Sequence, residues 1–259
     1  MEQKPLQQVQ PHIVVQNLTM AFGSFVLQRD LNFTVNRGDV FIIMGGSGCG
    51  KSTLLRHMVG LQSPAAGRIL YDGTLSFWDA EAEARDRIMR RIGILYQSGA
   101  LWSSMTLSEN IALPLREYTA LREEEIREIC ALKLALVGLS GFEDYYPSEI
   151  SGGMKKRAGL ARAMALDPDI LFLDEPSAGL DPISSRLLDD LILELRSSLG
   201  ATLVVVTHEL ASIFTIGNNS VFIDADARTM IAQGDPKVLL AESRNPTVHN
   251  FLTRGGGGT

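Results

Sequence analysis

The chain has 259 residues, 45% of them hydrophobic, enough to bury one large core or two small ones. Its 24 Lys and Arg stand against 30 Asp and Glu, a net charge of −6, which disfavours a nucleic-acid partner, since general nucleic-acid binders carry a basic stripe. The two cysteines, Cys49 and Cys130, have neither paired nor metal-type spacing and fit a reducing compartment better than a disulfide framework.

The opening residues MEQKPLQQVQPH are polar, lack the apolar stretch of a signal peptide, and predict a floppy arm over 1–11. No apolar run reaches membrane-spanning length, so the chain is expected to be soluble, or peripheral to a membrane through another protein's helices. Ile13 to Thr19 and Val26 to Val35 alternate apolar and polar residues, predicting strands of a curved antiparallel sheet. Val40 to Met44 is wholly apolar, a buried strand, and runs straight into the glycine-rich GGSGCGKST. A helix is predicted over Lys51 to Val59, a return to sheet over Arg68 to Tyr71 with an Asp72-Gly73 turn, a helix over Arg85 to Arg91, then a strand in IGILYQ.

From about Thr106 to Leu166 the pattern turns helical: Glu123, Glu124 and Glu125 open a stretch in which Ile126, Ile129, Cys130 and Val137 recur at helical spacing, the sign of an inserted helical lobe. Alternation of strand and helix resumes with ILFLD, then ATLVVVT, then VFID. Between the first two, Asp181 is placed to cap a helix with Pro182 in its first position, and Ile183, Leu187, Leu188, Leu191, Ile192 and Leu195 fall on one face. The closing RGGGGT reads as disordered. No internal repeat is visible, so the chain carries one module.

Gly45, Gly46, Ser47, Gly48, Cys49, Gly50, Lys51 and Ser52, followed by Thr53, match the G-x-x-x-x-G-K-[ST] phosphate loop between an apolar strand and a helix, the context that the motif requires. Its glycines let backbone N–H groups turn inward on phosphates, Lys51 reaches the β- and γ-phosphates, and Ser52 offers a hydroxyl to Mg²⁺. The strand ending in Asp174 and Glu175 brings Asp174 to the Mg²⁺ shell and puts Glu175 where it can polarise an attacking water. Cys49, near a helix N-terminus and Lys51, is expected to have a lowered thiol pKa and to be reactive.

Ser151-Gly152-Gly153-Met154 after the helical lobe, Ser177 to Asp181 directly after the acidic pair, and His208 at the end of the next strand complete an ordered set. Over about residues 12 to 235 this set resembles the ABC ATPase family. The resemblance implies an α/β fold: a P-loop NTPase (RecA-like) core with an antiparallel β subdomain and an inserted α-helical subdomain at about 100–166. The single domain would run over 12–243, with 244–259 as a tail. It implies ATP and Mg²⁺ as cofactors, ATP hydrolysis, and a second copy of the chain as partner. Phe22 resembles the aromatic that stacks on adenine, and Gln97 the glutamine that senses Mg²⁺ and γ-phosphate. Ser151, Gly152 and Gly153 resemble the signature turn that binds the γ-phosphate held by the opposite subunit. Asp181 resembles the acid that communicates across that interface, and His208 the switch histidine. Arg157 matches a position that supports the signature helix, whereas Lys155 and Lys156 read as a solvated face. Ile150, Met154 and Gly46 depart from the commonest family pattern of Leu, Gln and Pro, and Met cannot supply the amide hydrogen bonds of Gln.

YQSGALWSSMTLSENIALPLRE and ISGGMKKRAGLARAMALDPDILFLDEPSAGLDP are similar to the ATPases of MCE-type, Mla-like phospholipid transporters. That similarity implies integral membrane permease partners, a periplasmic MCE lipid-binding protein reached through the permease, a phospholipid cargo not bound directly, and a place at the cytoplasmic face of the inner membrane. Leu101, Trp102 and Met105 are candidates for a groove that takes a permease helix, and NPTVHNFLTR resembles the segment after which Mla-like ATPases extend along their dimer partner. A soluble ABC ATPase of iron–sulfur assembly type, or the ATPase of another importer or exporter, is the alternative.

Overall fold

The computed structural model describes residues 10–253; residues 1–9 of the expected arm and the glycine run 254–259 lie outside the described residues. The chain opens with β1 (Pro11–Phe22), β2 (Phe25–Asn36) and β3 (Val40–Met44). Next come α1 (Lys51–Met58), β4 (Ala66–Tyr71), β5 (Leu75–Ser76), α2 (Ala82–Arg90) and β6 (Ile92–Leu95). Three helices follow: α3 (Leu107–Tyr118), α4 (Glu123–Leu136) and α5 (Gly152–Ala163). The rest is β7 (Ile170–Asp174), α6 (Pro182–Leu199), β8 (Thr202–Val206), α7 (Leu210–Ile216), β9 (Asn219–Asp224), β10 (Thr229–Gln233), α8 (Pro236–Glu242) and α9 (Pro246–Thr253).

Two sheets result. The first is antiparallel throughout, in the order β2-β1-β4-β5. The second has the order β10-β9-β3-β8-β7-β6, in which β9, β3, β8, β7 and β6 run parallel and β10 is an antiparallel edge. Parallel strands covered on both faces read as continuous apolar runs, and Val40 to Met44 and Thr202 to Val206 are buried at every position. One set of core side chains joins this sheet to α3, α4, α5, α6 and α9. The other joins its opposite face to α1, α2 and the antiparallel sheet. No helix among the described residues is long and apolar enough to cross a membrane.

The helical lobe is built as its sequence dictates. Thr106 and Glu109 form a reciprocal capping box at the start of α3, and Ile126, Cys130 and Leu134 of α4 fall one turn apart into the core. Residues 244–253, set apart from the domain on sequence grounds, include α9, whose Val248 and Leu252 are buried in the main core. The apolar face expected on α6 is narrower than its sequence. Leu188, Leu191, Ile192 and Leu195 are buried, but Ile183 is 75% exposed and Leu187 54%. The first turn of α6 lies beside the start of α5 rather than over the sheet, for a Cβ added at Gly153 would stand 3.3 Å from Ser184 Oγ.

Within α6, Asp189 is buried and accepts a hydrogen bond of 2.9 Å from Ser212 Oγ of α7. Burial pushes its carboxyl up to about 6, with Glu209 and Asp190 adding to the rise. A folded-state value above the unfolded one makes the associated stability full below the unfolded value near 3.8, and it is lost as pH rises through about 6. Asp189→Asn is therefore expected to be neutral near pH 4 and to stabilise the fold by about 1–3 kcal/mol at pH 8, read as a Tm difference between variant and parent that opens between those two pH values.

Candidate active site

The phosphate-loop residues leave β3 at Met44 and enter α1 at Lys51. Gly45 has φ 149°, and a Cβ there would lie 2.2 Å from the carbonyl oxygen of Ile223 on β9, so no other residue fits without moving the sheet. Gly50 has φ 100°, where L side chains are strained. Gly46 and Gly48, by contrast, face open space. Lys51 Nζ folds back over the loop, donating to the carbonyls of Gly45 at 3.0 Å and Gly46 at 2.9 Å. Ser52 Oγ donates to Asp174 Oδ1 at 2.9 Å, which fastens the start of α1 to the end of β7.

Directly after β7 the chain turns sharply. Glu175 sits at φ 47°, a left-handed conformation that is strained for a non-glycine residue. Its N–H donates to Val206 O at 2.8 Å, and its carboxylate Oε1 lies 2.9 Å from His208 Nδ1, while Oε2 is buried without a partner. His208 arrives from the end of β8 with 60% of its side chain exposed.

These residues share one cleft of about 1790 Å³ at the C-terminal ends of the parallel strands. It is lined by Phe22, residues 45–48, residues 50–53, Gln97, Glu175 and His208. In open α/β sheets that end of the strands is where ligands bind. Phe22, 53% exposed, stands at the rim on the antiparallel sheet. The cleft continues into an apolar extension of Leu210, Phe214, Leu240, Phe251 and Leu252 from the last three helices, which the sequence reading did not include. The donor set fits a magnesium triphosphate. Turned backbone N–H groups at a helix start with room at Gly46 and Gly48, one ammonium, a hydroxyl–carboxylate pair and an unpaired buried carboxylate oxygen are the groups that such a ligand takes.

Ser151, Gly152, Gly153 and Asp181 are not brought to this cleft. Ser151 caps α5, its Oγ accepting from Met154 N at 3.3 Å. Asp181 caps α6, accepting from Ile183 and Ser184 N–H at 3.0 Å each. Arg157 donates to Val137 O at 2.8 Å and Gly138 O at 3.1 Å, closing the C-terminus of α4 onto α5. Met154 packs on the main core instead of presenting a polar group. Leu101 packs on the core as well, whereas Trp102 is 58% exposed beside it. Its loop is fixed by the buried side chain of Asn110, which accepts from Trp102 N–H at 2.7 Å and donates to Trp102 O.

Two sequence expectations are overturned. Lys156 is not on a solvated face: it is buried and donates to Glu175 O at 3.1 Å and Ala178 O at 2.7 Å. The turn after β7 that covers it comes from 19 or more residues away, so the run of cations around it carries no local sign of its burial. Cys49 is not activated. Its side chain is fully buried, against Gly45, and burial raises its thiol pKa by more than Lys51 and the backbone hydrogen bonds lower it. Cys130 is buried and raised likewise. Neither thiol of the native chain is therefore expected to titrate with a bulky aromatic disulfide during the time in which the denatured chain releases both; rapid native labelling at Cys49, read by peptide mass, would contradict this placement.

The ABC transporter family model matches residues 28–178. The chain is 42% identical over 240 residues to the intermembrane phospholipid transport system ATP-binding protein MlaF of Haemophilus influenzae, covering 93% of this chain and 89% of that protein. It is also 42% identical over 240 residues to the probable ribonucleotide transport ATP-binding protein mkl of Mycobacterium tuberculosis; this chain, covered to 93%, spans 66% of that relative's length. The dimeric post-hydrolysis structure of the ATP-binding cassette MJ0796, bound to ADP and Pi, superposes with a TM-score of 0.77 at 28% identity, covering 86% of this chain and 98% of that one. Given this match, and a phosphate loop that meets an acidic strand end in one cleft, the chain belongs to the ABC transporter family and is one of its ATP-binding cassettes.

Proposed function

We propose that this chain hydrolyses ATP as the motor subunit of a membrane transporter and works as a head-to-tail pair with a second copy of itself. The observation that carries the reading is the meeting of Lys51, Ser52, Glu175 and His208 in one cleft, with Asp174 held against Ser52 behind it, while the Ser151 turn stays outside. The cap at Ser151 lies apart from the phosphate loop of its own chain; in this reading it serves the loop of a partner copy.

In this reading the N–H groups of residues 45–52 hold the phosphates, Phe22 takes the base, and Ser52, Asp174 and Gln97 hold Mg²⁺. Bound Mg²⁺ neutralises charge on the phosphate oxygens. Lys51 is already inside the loop and exchanges two carbonyl partners for phosphate oxygens. Glu175, its Oε1 beside His208, orients and polarises the attacking water and accepts its proton. His208 is exposed on its other side and is placed to read the outermost phosphate. Ser151, Gly152 and Gly153 of the second copy close the site with their helix N-terminus, and Asp181 lies at that seam.

The cargo that fits is phospholipid moving between inner and outer membranes. The permease is integral to the inner membrane, this chain lies at its cytoplasmic face, and a periplasmic MCE protein is reached through the permease. MlaF relatives match over 87% to 89% of their length, whereas the mycobacterial relative named for ribonucleotides is matched over 66%. The exposed Trp102 is the contact offered to a permease helix.

Glu175→Gln is expected to lower turnover by roughly 10² or more while retaining ATP. Light scattering should show dimers in ATP and monomers without it; unchanged turnover, or a monomer with ATP bound, overturns the mechanism. With the permease and MCE protein in proteoliposomes, ATP should move labelled phospholipid but not a labelled ribonucleotide; the reverse outcome overturns the cargo.

A further inference from the structure

Lys156 belongs to α5, five residues beyond the Ser151 cap, yet its ammonium ends inside the turn that carries Glu175. It donates to Glu175 O at 3.1 Å and to Ala178 O at 2.7 Å, so one cation spans the turn from its first residue to its fourth. Glu175 O also accepts from Ala178 N–H at 3.2 Å, whereas no other hydrogen bond to Ala178 O is present among the described residues. The turn needs such a clasp. Glu175 is held at φ 47°, a conformation that costs free energy and persists only when its surroundings impose it. From the sheet side the backbone of the turn is fixed, among the described residues, by the Glu175 N–H bond to Val206 O, and its carboxylate by His208.

We propose that Lys156 is a positioning residue for Glu175, clasping the turn so that the carboxylate faces the cleft and moves with α5. This rests on the reading of Glu175 as the group that polarises water. Lysine suits the task because three rotatable donors on a four-carbon stem reach two carbonyls from one helical position, which a planar guanidinium does not do as well and an apolar side chain cannot do at all. The rigid α5 then links two places that belong to different nucleotides in a head-to-tail pair. Its capped start meets the partner's nucleotide and its fifth residue, Lys156, sets the chain's own Glu175. Displacement of the Ser151 end by nucleotide bound at one site is thereby passed to the carboxylate of the other site without a side chain of either nucleotide pocket taking part.

The test is a double-mutant cycle on the full chain. Lys156→Met keeps the stem and removes every donor; it is expected to lower kcat about 10- to 100-fold with KM for ATP within about threefold, since phosphate-loop contacts are untouched. Lys156→Arg should recover part of kcat. In the Glu175→Gln background, Lys156→Met should change the residual rate less than twofold, because the group it positions is already gone. Hydrogen exchange gives a readout independent of turnover: the Ala178 amide should exchange at least tenfold faster in Lys156→Met, with the amides of β3 and β8 unchanged. Should Lys156→Met not fold, Lys156→Gln replaces it in both measurements, with a smaller fall in kcat. A fall in kcat that persists in full in the Glu175→Gln background, a rise in KM with unchanged kcat, or an Ala178 amide protected as in the parent overturns the proposal. If Glu175→Gln alone leaves turnover intact, it is the reading of Glu175 that fails.

Discussion

The turn at the end of β7 is the constraint on which the site depends. β7 lies between β6 and β8, pairing with β6 from Ile170 to Leu173 and with β8 through Asp174, so its end cannot shift along the sheet. Asp174, the last residue of the strand, meets Ser52; Glu175, the next, has left the strand in a left-handed conformation and meets His208. Had the chain continued extended, the two carboxylates would have pointed to opposite faces. The positive φ at Glu175 is what turns its carboxylate into the cleft while Asp174 stays on Ser52. Its cost is met in part by a hydrogen bond donated to β8 and by those accepted from Lys156 of α5.

Such a turn can be held only by a sheet that is itself fixed, and the opposite end of the strands supplies the fixing. His12, buried on β1, places Nδ1 2.7 Å from Thr202 Oγ1 and Nε2 3.3 Å from Asp169 Oδ2. Arg91 donates to Asp72 and Asp169 at once, at 2.6 Å and 2.7 Å. Burial works against ionisation of Asp169, but hydrogen bonds from His12 and Arg91 hold its carboxyl far below the usual carboxylate range. Arg91, Asp169 and Thr202 immediately precede or begin β6, β7 and β8, while His12 and Asp72 come from the antiparallel sheet. This cluster ties the two sheets together at one end of the strands, leaving the other end to carry the cleft.

Legibility in the sequence followed the range of the interactions. The phosphate loop, the buried strands, the helical lobe and the caps at Ser151 and Asp181 could be read directly, because each depends on residues within a few positions of one another. Lys156 and Cys49 were misread for one reason: their environment comes from segments distant in sequence. At Cys49 the nearby cation and helix start were visible, and the desolvation that outweighs them was not, since it comes from the burial of the loop against β9. Gly159 is a local sign of a long-range contact. A small residue within the helix where its added Cβ would lie 2.9 Å from Gly99 O marks a close crossing of α5 over the loop after Gln97. The extension of the cleft by α8 and α9 had no local signature, because each of those helices is only two turns long and contributes one or two apolar residues to it.

The role of α5 follows from its cations. Lys156 donates to the turn after β7, Arg157 to the end of α4, and Arg162 to Ala100 O at 2.6 Å and Gly99 O at 3.2 Å in the loop that follows Gln97. Every acceptor is a backbone carbonyl. A charged donor on a carbonyl is stronger than a neutral pair, and it places the main chain whatever side chain the loop carries at that point. Each cation lies half-buried or deeper, and desolvation lowers the pKa of all three, so each would be a liability if its carbonyls withdrew. The helix therefore cannot move while the three loops stay, nor can the loops move singly. The Gln97 loop, the helical lobe and the Glu175 turn are bound to one rigid rod whose free end is the glycine-rich cap at Ser151. A contact at that cap thus reaches the loop nearest Trp102 and the carboxylate in the cleft by the same rigid displacement.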